Sequence, residues 1–357
     1  MRSRAGGRRT CAARRGRIPI QPGNLIANQS LAPTKPSIMR SVGEQEPHSQ
    51  RPVGRAIAEL QLGWLDVGGA RRTFLLAPAP QPEAPLLIVL HGLGISGKDM
   101  DTFTGLARRG PAAEFATVFP DACDQMWDDG RQRGRHRDTD DFGFMEALVD
   151  RLVSDRVADP GALFLVGLSN GALFAERLAR HGILPVTGIV LVAGTTTETT
   201  RREAPRPARP AAVLCFEGTA DPFMPYAGGS RQHNGLLGRL VAWRAGWRPG
   251  DPPREGTVAV DMIASDWVEV NGLPLAPSVE AVSNPDGDLP VTRFSWSAPG
   301  RRPVVLYRVE GGGHTWPGGP QQMPSRLIGP VARRLDATGI LLEMARHEIL
   351  SGSSDGS

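Results

Sequence analysis

Short apolar runs alternate with longer amphipathic segments from about residue 60 onward. Several runs, such as LLIVL and GIVLV, are apolar throughout, which is typical of parallel strands covered on both faces. The predicted strands are 71–79, 85–92, 116–121, 162–169, 188–194, 211–219 and 303–311. The predicted helices are 140–155, 170–182, 235–247 and 336–350. This alternation predicts an α/β fold with a mostly parallel central sheet and helices on both faces.

Three regions depart from this alternation. Residues 1–58 form an Arg-rich leader without the apolar stretch of a secretory signal, and we predict that it is disordered, with Met39 as an alternative start. Residues 248–302 are rich in Pro, Gly and Asp and predict an insertion or cap of irregular and short β structure before the last strand. Residues 351–357 predict a disordered tail. The remaining pattern predicts one folded domain over 59–350.

Charge is unevenly distributed along the chain. The formal net charge is +4, but residues 1–60 carry +8 and the remaining 297 residues sum to −4. The basicity therefore belongs to the leader, and we expect no nucleic-acid partner, although a nucleic-acid role of the leader stays an alternative. No run approaches 18 apolar residues, so we expect no membrane span. As written, without a signal peptide, the chain is expected in the cytoplasm.

The three cysteines are Cys11, Cys123 and Cys215, and their spacing matches no metal site. A pairing of Cys123 with Cys215 stays open at this point. We expect no metal.

The strongest chemical signal is the segment VGLSNGAL. It holds G-x-S-x-G, from Gly167 to Gly171, directly after an apolar strand and at the start of an amphipathic helix. Glycines on both sides of Ser169 allow the tight turn that presents a serine hydroxyl. The N–H of Asn170, at the positive end of the helix, then points at a developing oxyanion. The pattern predicts Ser169 as a nucleophile.

A serine hydroxyl needs a base, and a carboxylate must orient that base. In a sheet of this kind the expected chain order is serine, acid, histidine, each in a loop after a strand. Asp221 and His314 follow the strands that end near Phe216 and Val309, so we predict them as the acid and the base. His233 is a weak rival for the base. The histidines predicted as surface or solvated groups are His136, His181 and His347.

The stretch LLIVLHGLGISGKDM allows two interpretations. Gly92, Gly94 and Gly97 match the G-x-G-x-x-G spacing of a dinucleotide site, which needs an acidic residue about 20 residues further on. Asp121 lies 29 residues past Gly92, and this interpretation leaves the serine motif unexplained. A loop after an early strand also supplies the second oxyanion donor of a hydrolase. We therefore predict the N–H of Leu93 as that donor, and no cofactor.

Six segments together resemble one family. HGLG, PDACDQMWDDG, DDFGFMEALVD, GLSNGALFA, EGTADPFMPYAGG and GGGHTWPGG occur in the order found in the polyhydroxybutyrate depolymerase, feruloyl and acetylxylan esterase-like family of α/β-hydrolases. The resemblance covers about residues 62–347. It implies the α/β-hydrolase fold and the same roles for Ser169, Asp221 and His314. It also implies that Trp127 and Trp316 lie near the acyl pocket, with ordinary core residues as the alternative. We add His91 as a further pocket candidate.

Departures from the family narrow the predicted substrate. Leu273 stands in a segment where many secreted relatives carry a cysteine, and the chain has no polymer-binding module. We therefore favour a small or soluble ester over a solid polyester. The predicted activity is serine carboxylic-ester hydrolysis through an acyl-enzyme, on short-chain, hydroxyalkanoate, feruloyl or acetyl-type esters. The expected partner is a small-molecule or oligomeric ester. The alternatives are an acyltransferase that uses the same serine and a non-catalytic binding protein with this fold.

Overall fold

The structure is a computed structural model that describes residues 60–131, 139–229, 255–282 and 287–353. The predicted leader 1–58, the predicted helix 235–247, His136 and His233 lie outside these ranges. So do Cys11 and most of the predicted tail.

The described ranges contain strands and helices in the alternation that the sequence predicts. The strands are β1 Gln61–Val67, β2 Ala70–Ala77, β3 Ala84–Leu90, β4 Ala116–Pro120, β5 Ala158–Leu168, β6 Gly188–Val192, β7 Ala212–Gly218, β8 Ser278–Val282, β9 Val291–Trp296 and β10 Val304–Val309. The helices are α1 Gly97–Thr104, α2 Leu106–Ala112, α3 Asp141–Ser154, α4 Asn170–His181, α5 Glu198–Glu203, α6 Val260–Asn271, α7 Ser325–Ile328 and α8 Ala337–Ser353.

The strands form one sheet in the order β1-β2-β4-β3-β5-β6-β7-β10-β9-β8. The centre, from β4 to β10, is parallel. Antiparallel strands extend each edge, β2 and β1 on one side and β9 and β8 on the other. Strands β4, β6 and β7 are buried along their whole length because helices cover both faces of the sheet. The predicted mostly parallel sheet is confirmed.

Each face of the sheet carries its own apolar core. Successive side chains of a strand point to opposite faces, so Leu86 and Ile88 belong to one core and Leu87 and Val89 to the other. Helices α3, α4 and α6 contribute to the first core, and α1, α2 and α8 to the second. Helices thus cover both faces of the sheet, and the loops beyond its strand ends are the parts that can form a site.

The segment 248–302 is more regular than the sequence predicts. Helix α6 occupies 12 of its residues and buries Ile263 and Trp267 completely. Strands β8 and β9 then extend the sheet. The predicted short β structure is present in the described part of this segment as β8 and β9, whereas helix α6 was not predicted. Its apolar residues follow helical spacing between 260 and 268, but the surrounding Pro and Gly residues obscure that spacing.

The two ends of the domain also differ slightly from the prediction. Strand β1 precedes the first predicted strand and pairs with β2. Helix α8 continues to Ser353, three residues past the predicted end. Across the described ranges, no helix combines the length and apolarity that a bilayer crossing requires.

Candidate active site

Ser169 lies on a sharp turn between β5 and α4. Its φ of 56° and ψ of −120° form a conformation that costs a non-glycine residue roughly 1–3 kcal/mol. A Cβ on Gly167 would lie 2.4 Å from the carbonyl oxygen of Gly171. One on Gly171 would lie 2.2 Å from the carbonyl oxygen of Leu90. Both glycines of the motif are therefore steric requirements of the turn.

The predicted nucleophile, acid and base lie beyond the carboxyl ends of three parallel strands. Ser169 follows β5, Asp221 follows β7 and His314 follows β10. The strands β5, β6, β7 and β10 are consecutive in the sheet and run in the same direction. The topology thus brings all three residues to one edge of the sheet, where sites of open α/β sheets form.

His314 and Asp221 are hydrogen-bonded to each other. His314 Nδ1 lies 2.6 Å from Asp221 Oδ2. The other carboxylate oxygen accepts from the N–H groups of Phe223, at 2.7 Å, and Met224, at 2.9 Å. Asp221 is buried, whereas 15% of the His314 side chain is exposed. A carboxylate held in this way keeps the proton of a neutral imidazole on Nδ1 and leaves the lone pair on Nε2.

The loop that carries His314 is fixed by close backbone packing. The N–H of His314 donates to the carbonyl of Ile328 at 2.6 Å, and the N–H of Gly313 donates to that of Pro330 at 2.9 Å. A Cβ on Gly313 would lie 2.1 Å from the Ile328 carbonyl oxygen. The glycine before His314 is therefore required by this contact. These backbone hydrogen bonds hold the loop, and Asp221 holds the imidazole ring.

The loop from His91 to Gly94 packs against the turn of Ser169. A Cβ on Gly92 would lie 3.5 Å from Ser169 Cβ, so the two residues are direct neighbours. Among the described residues, no acceptor pairs with the N–H of Leu93 or with that of Asn170. Unpaired donors from two loops beside a serine form the arrangement in which an oxyanion is stabilised.

The three predicted pocket residues are core residues. His91 and Trp127 are fully buried, and Trp316 is 1% exposed. The ring of Trp127 stacks on Phe174 with centroids 5.0 Å apart, and Trp316 Nε1 donates to Thr338 Oγ1 at 3.0 Å. All three side chains lie in the core with their polar atoms hydrogen-bonded, and a position near the acyl pocket stays a prediction.

His91 connects the loop after β3 to the segment after β4. Its Nε2 accepts from the N–H of Ala122 at 2.9 Å, so Nδ1 carries the proton and donates to the Gly92 carbonyl at 2.8 Å. Burial lowers the pKa of His91, although the nearby Gly92 carbonyl and carboxylates oppose this effect. His91 is thus a neutral structural link, and its ring does not face solvent.

The side chain of Asn170 has a role that the sequence analysis missed. Its Oδ1 accepts from the N–H of Trp127 at 2.8 Å, and its Nδ2 donates to the Trp127 carbonyl at 3.2 Å. Nδ2 also donates to Asp129 Oδ2 at 3.0 Å, and that carboxylate pairs with Arg131 at 2.7 Å. The sequence signal for this role is small. It is a polar residue, Asn170, directly after Ser169 in the serine motif, at a helix start where burial is expected.

Glu217, on β7 beneath the same turn, was also missed. Its Oε1 accepts from the N–H of Gly194 at 3.1 Å, and a Cβ on Gly194 would lie 2.9 Å from the Ser169 carbonyl oxygen. Burial raises the pKa of the Glu217 carboxyl well above its usual value, an effect that the Gly194 N–H partly opposes and nearby Asp221 reinforces. The raised pKa favours the protonated carboxyl, and Glu217 supports the Gly194 backbone against which the turn of Ser169 packs. A single acidic residue within the apolar run AAVLCFEGT is the signal that could have revealed it.

The start of α1, where a dinucleotide pyrophosphate would bind, is already paired with protein carboxylates. The N–H of Gly97 donates to Asp121 Oδ1 at 2.9 Å, and Ser96 and Asp99 cap the same helix reciprocally. These carboxylates take the place that a phosphate needs. The glycine spacing of this loop therefore serves its packing.

Two further observations concern the cysteines and the possible metal ligands. Cys123 and Cys215 are buried and are not joined by a disulfide. In the parts of the chain that the structure describes, no group of His, Cys, Asp and Glu side chains has the arrangement of a metal site.

The two other described histidines that follow Ser169 in the chain lie on helices. His181 Nε2 lies 3.7 Å from Glu203 Oε2, and His347 Nδ1 lies 3.4 Å from Glu348 Oε1. Burial lowers the pKa of His181, and nearby Arg177 contributes to this. Neither residue follows a strand of the sheet, so the structure does not bring them to the edge where Ser169 lies.

The sheet order, the strained serine turn after β5, and the acid and histidine after β7 and β10 define the α/β-hydrolase fold. The chain is 29% identical to "Putative esterase NocK" of Nocardia uniformis subsp. tsuyamanensis over 340 residues, which cover 91% of each chain. No protein-family model matches the chain.

Two solved structures show lower similarity. An acetyl xylan esterase from Aspergillus awamori superimposes with a TM-score of 0.48 and 12% identity, over 71% of this chain and 94% of that chain. The S-formylglutathione hydrolase FrmB from Staphylococcus aureus superimposes with a TM-score of 0.37 and 11% identity, over 46% and 81% of the two chains.

Proposed function

We propose that this protein is a serine carboxylic-ester hydrolase. The observation that carries the proposal is one constellation at the carboxyl edge of the sheet: Ser169 on a strained turn, an Asp221-bound His314, and two unpaired N–H groups. Similarity over most of the chain to a protein named as an esterase supports it. The geometry also explains why both glycines of the serine motif are required.

In the proposed first step, His314 Nε2 takes the proton of the Ser169 hydroxyl as its oxygen attacks the ester carbonyl. Negative charge develops on the carbonyl oxygen, and the N–H groups of Leu93 and Asn170 donate hydrogen bonds to it. The C–O bond to the alcohol then breaks, and the alcohol leaves with the proton from His314. Asp221 stabilises the imidazolium that exists between these two transfers.

In the second step, water attacks the acyl-enzyme and gives a proton to His314. The same two N–H groups stabilise the second tetrahedral intermediate, and its collapse releases the carboxylic acid and returns the proton to Ser169. Every proton transfer uses the lone pair on Nε2, and this requires that Asp221 keep Nδ1 protonated. The mechanism uses the chain's own residues alone.

For the substrate we propose short-chain, hydroxyalkanoate, feruloyl or acetyl-type esters. The resemblance of the sequence motifs to enzymes of this type supports that range. Partly exposed apolar side chains near Ser169 and His314 are compatible with a small acyl group: Leu93 and Ile95 lie in the loop after β3, and the Phe223 ring lies 5.1 Å from the His314 ring. Apolar contacts of this kind select acyl groups by size.

The test is the hydrolysis of p-nitrophenyl esters from acetate to octanoate by the wild type, Ser169→Ala and a control, Ser265→Ala. Ser265 lies on α6 and donates only to the Asp261 carbonyl, so the control keeps wild-type rates. We expect Ser169→Ala to lower kcat by about 10⁴-fold or more, since a triad without its nucleophile loses nearly all covalent catalysis. Wild-type activity in Ser169→Ala would refute the proposal.

A further inference from the structure

We propose that the segment Ala122–Asp129 fixes the separation of the two oxyanion donors, the N–H groups of Leu93 and Asn170. The side chains of His91 and Asn170 hold this segment by hydrogen bonds. Asn170 is thus a positioning residue through its side chain as well as a donor through its N–H. This inference rests on the proposed esterase function, because it assigns the support of that site's oxyanion hole. It concerns the backbone segment behind the site and not the triad.

The Asn170 half of this arrangement is a reciprocal pair of hydrogen bonds. The amide of Asn170 accepts from the N–H of Trp127 and donates to the carbonyl of Trp127, at 2.8 and 3.2 Å. Both bonds are buried, where a polar contact resists exchange with water. They attach the first residue of α4, whose N–H is one proposed donor, directly to the segment.

The Leu93 half is attached to the same segment by three hydrogen bonds. The N–H of Ala122 donates to His91 Nε2 at 2.9 Å, and Trp127 Nε1 donates to the His91 carbonyl at 3.1 Å. The N–H of Gly94 donates to the Gln125 carbonyl at 2.9 Å. These bonds hold the residues on both sides of Leu93 and so set the direction of its N–H.

The segment itself is held in an unusual conformation. Asp124 and Gln125 have φ values of 50° and 60°, which non-glycine residues adopt only when their surroundings enforce them. The indole of Trp127 stacks on Phe174 of α4, with an interplanar angle of 5°. A strained segment packed in this way is stiff, and a stiff connection keeps two donors from different loops at a constant separation.

Charge fixes the orientation of the Asn170 amide. Its Nδ2 faces two acceptors, the Trp127 carbonyl and the Asp129 carboxylate, and the latter pairs with Arg131. Only an NH₂ group satisfies both acceptors, so the opposite amide orientation is excluded. The same arrangement makes Asn170→Asp repulsive, since a carboxylate would then face a carboxylate and a carbonyl.

The experiment compares the hydrolysis of an ester and of the matching thionoester, in which sulfur replaces the carbonyl oxygen. Sulfur is a weak hydrogen-bond acceptor, so a thionoester gains little from oxyanion donors. We expect Asn170→Ala to lower kcat for the ester by about 10–100-fold, with the ester-to-thionoester ratio of kcat/KM falling about tenfold. KM for the ester should change by no more than about twofold, because the donors act in the transition state.

Asn271→Ala is the matched control. Asn271 is equally buried, and its amide also binds the N–H and the carbonyl of one residue, Ala211, at 3.2 and 2.8 Å. Asn271 is the last residue of α6, and Ala211 directly precedes β7. The pair therefore lies beside the amino end of β7, at the opposite edge of the sheet from Ser169. This control should lower the melting temperature like Asn170→Ala but leave the ester-to-thionoester ratio unchanged.

The outcomes separate the two proposals. If the wild type hydrolyses neither substrate, the esterase function fails. If the wild type is active and Asn170→Ala loses the same factor on both substrates, the positioning role is overturned while the esterase function stands. If Asn170→Ala does not fold, Trp127→Phe decides. It removes the bond to the His91 carbonyl and reduces the ring that stacks on Phe174, and an unchanged ratio in that variant likewise overturns the inference.

Discussion

Gly171 lies at the closest approach between α4 and the end of β3, so Gly171→Ala has a large and calculable effect. The new Cβ would lie 2.2 Å from the Leu90 carbonyl oxygen and 2.6 Å from that of His91, whereas ordinary contact begins near 3.4 Å. Both oxygens are backbone atoms and cannot rotate away. The start of α4 must therefore move by about 1 Å from the strand end, and the N–H of Asn170 moves with it.

A displacement of about 1 Å at a reacting group costs roughly 10²-fold in rate, and overpacking of this kind costs about 1–3 kcal/mol of folding stability. We expect Gly171→Ala to lower kcat on p-nitrophenyl acetate and the free energy of urea unfolding by these amounts. The control is Gly161→Ala, at the exposed start of β5, where the new Cβ would meet only the movable Asp159 carboxylate at 3.3 Å. A Gly171→Ala enzyme with kcat and stability equal to those of the control would refute the reasoning.

Three further predictions concern buried ionisable side chains. Asp221→Asn should lower kcat on the same ester by about 10⁴-fold, because the amide no longer enforces the Nδ1-protonated imidazole; activity near that of the wild type excludes Asp221 as the acid. The pKa of Glu217 is raised by burial, so its contribution to stability is complete below the unfolded value of 4.5 and is lost as the pH rises toward the folded pKa. In urea unfolding, the free energy of unfolding of Glu217→Gln should therefore rise relative to that of the wild type by up to about 1.4 kcal/mol per pH unit above 4.5. A difference between the two free energies that does not change with pH contradicts this. Arg180→Ala should cost about 3–5 kcal/mol in the same assay, since it leaves buried Glu176, 2.6 Å from Arg180, without its partner; a loss below about 1 kcal/mol contradicts it.

The parts of this molecule that the sequence predicts correctly depend on local patterns. Apolar runs of five to seven residues identify the parallel strands, because a strand covered on both faces has no polar side. The glycines on both sides of Ser169 indicate a turn whose flanking positions have no room for a side chain. Asp221 and His314 are predicted as acid and base because each stands just after such a run, and parallel strands carry their following loops to one edge. Their position at that edge follows from the topology, and their catalytic roles stay predictions.

Competing patterns account for the features that the sequence did not predict. In residues 248–302 the Pro and Gly residues outweighed the helical spacing that places Trp267 in the core. The resemblance of the sequence motifs implied that Trp127 and Trp316 lie near an acyl pocket, with ordinary core residues as the alternative. Both are buried, and burial depends on the elements that pack over a side chain, which adjacent sequence does not specify.

The sequence alone determined the strand alternation, the serine turn and the order of candidate residues, because these follow from steric and hydrophobic preferences within a few residues. Only the tertiary structure decided what the polar side chains around the turn do. His91, Trp127 and Asn170 are distant in the chain but share hydrogen bonds, and the pKa of Glu217 is raised because the fold removes it from water. Hydrogen-bond partners and dielectric surroundings are properties of the packed chain, so no local pattern specifies them.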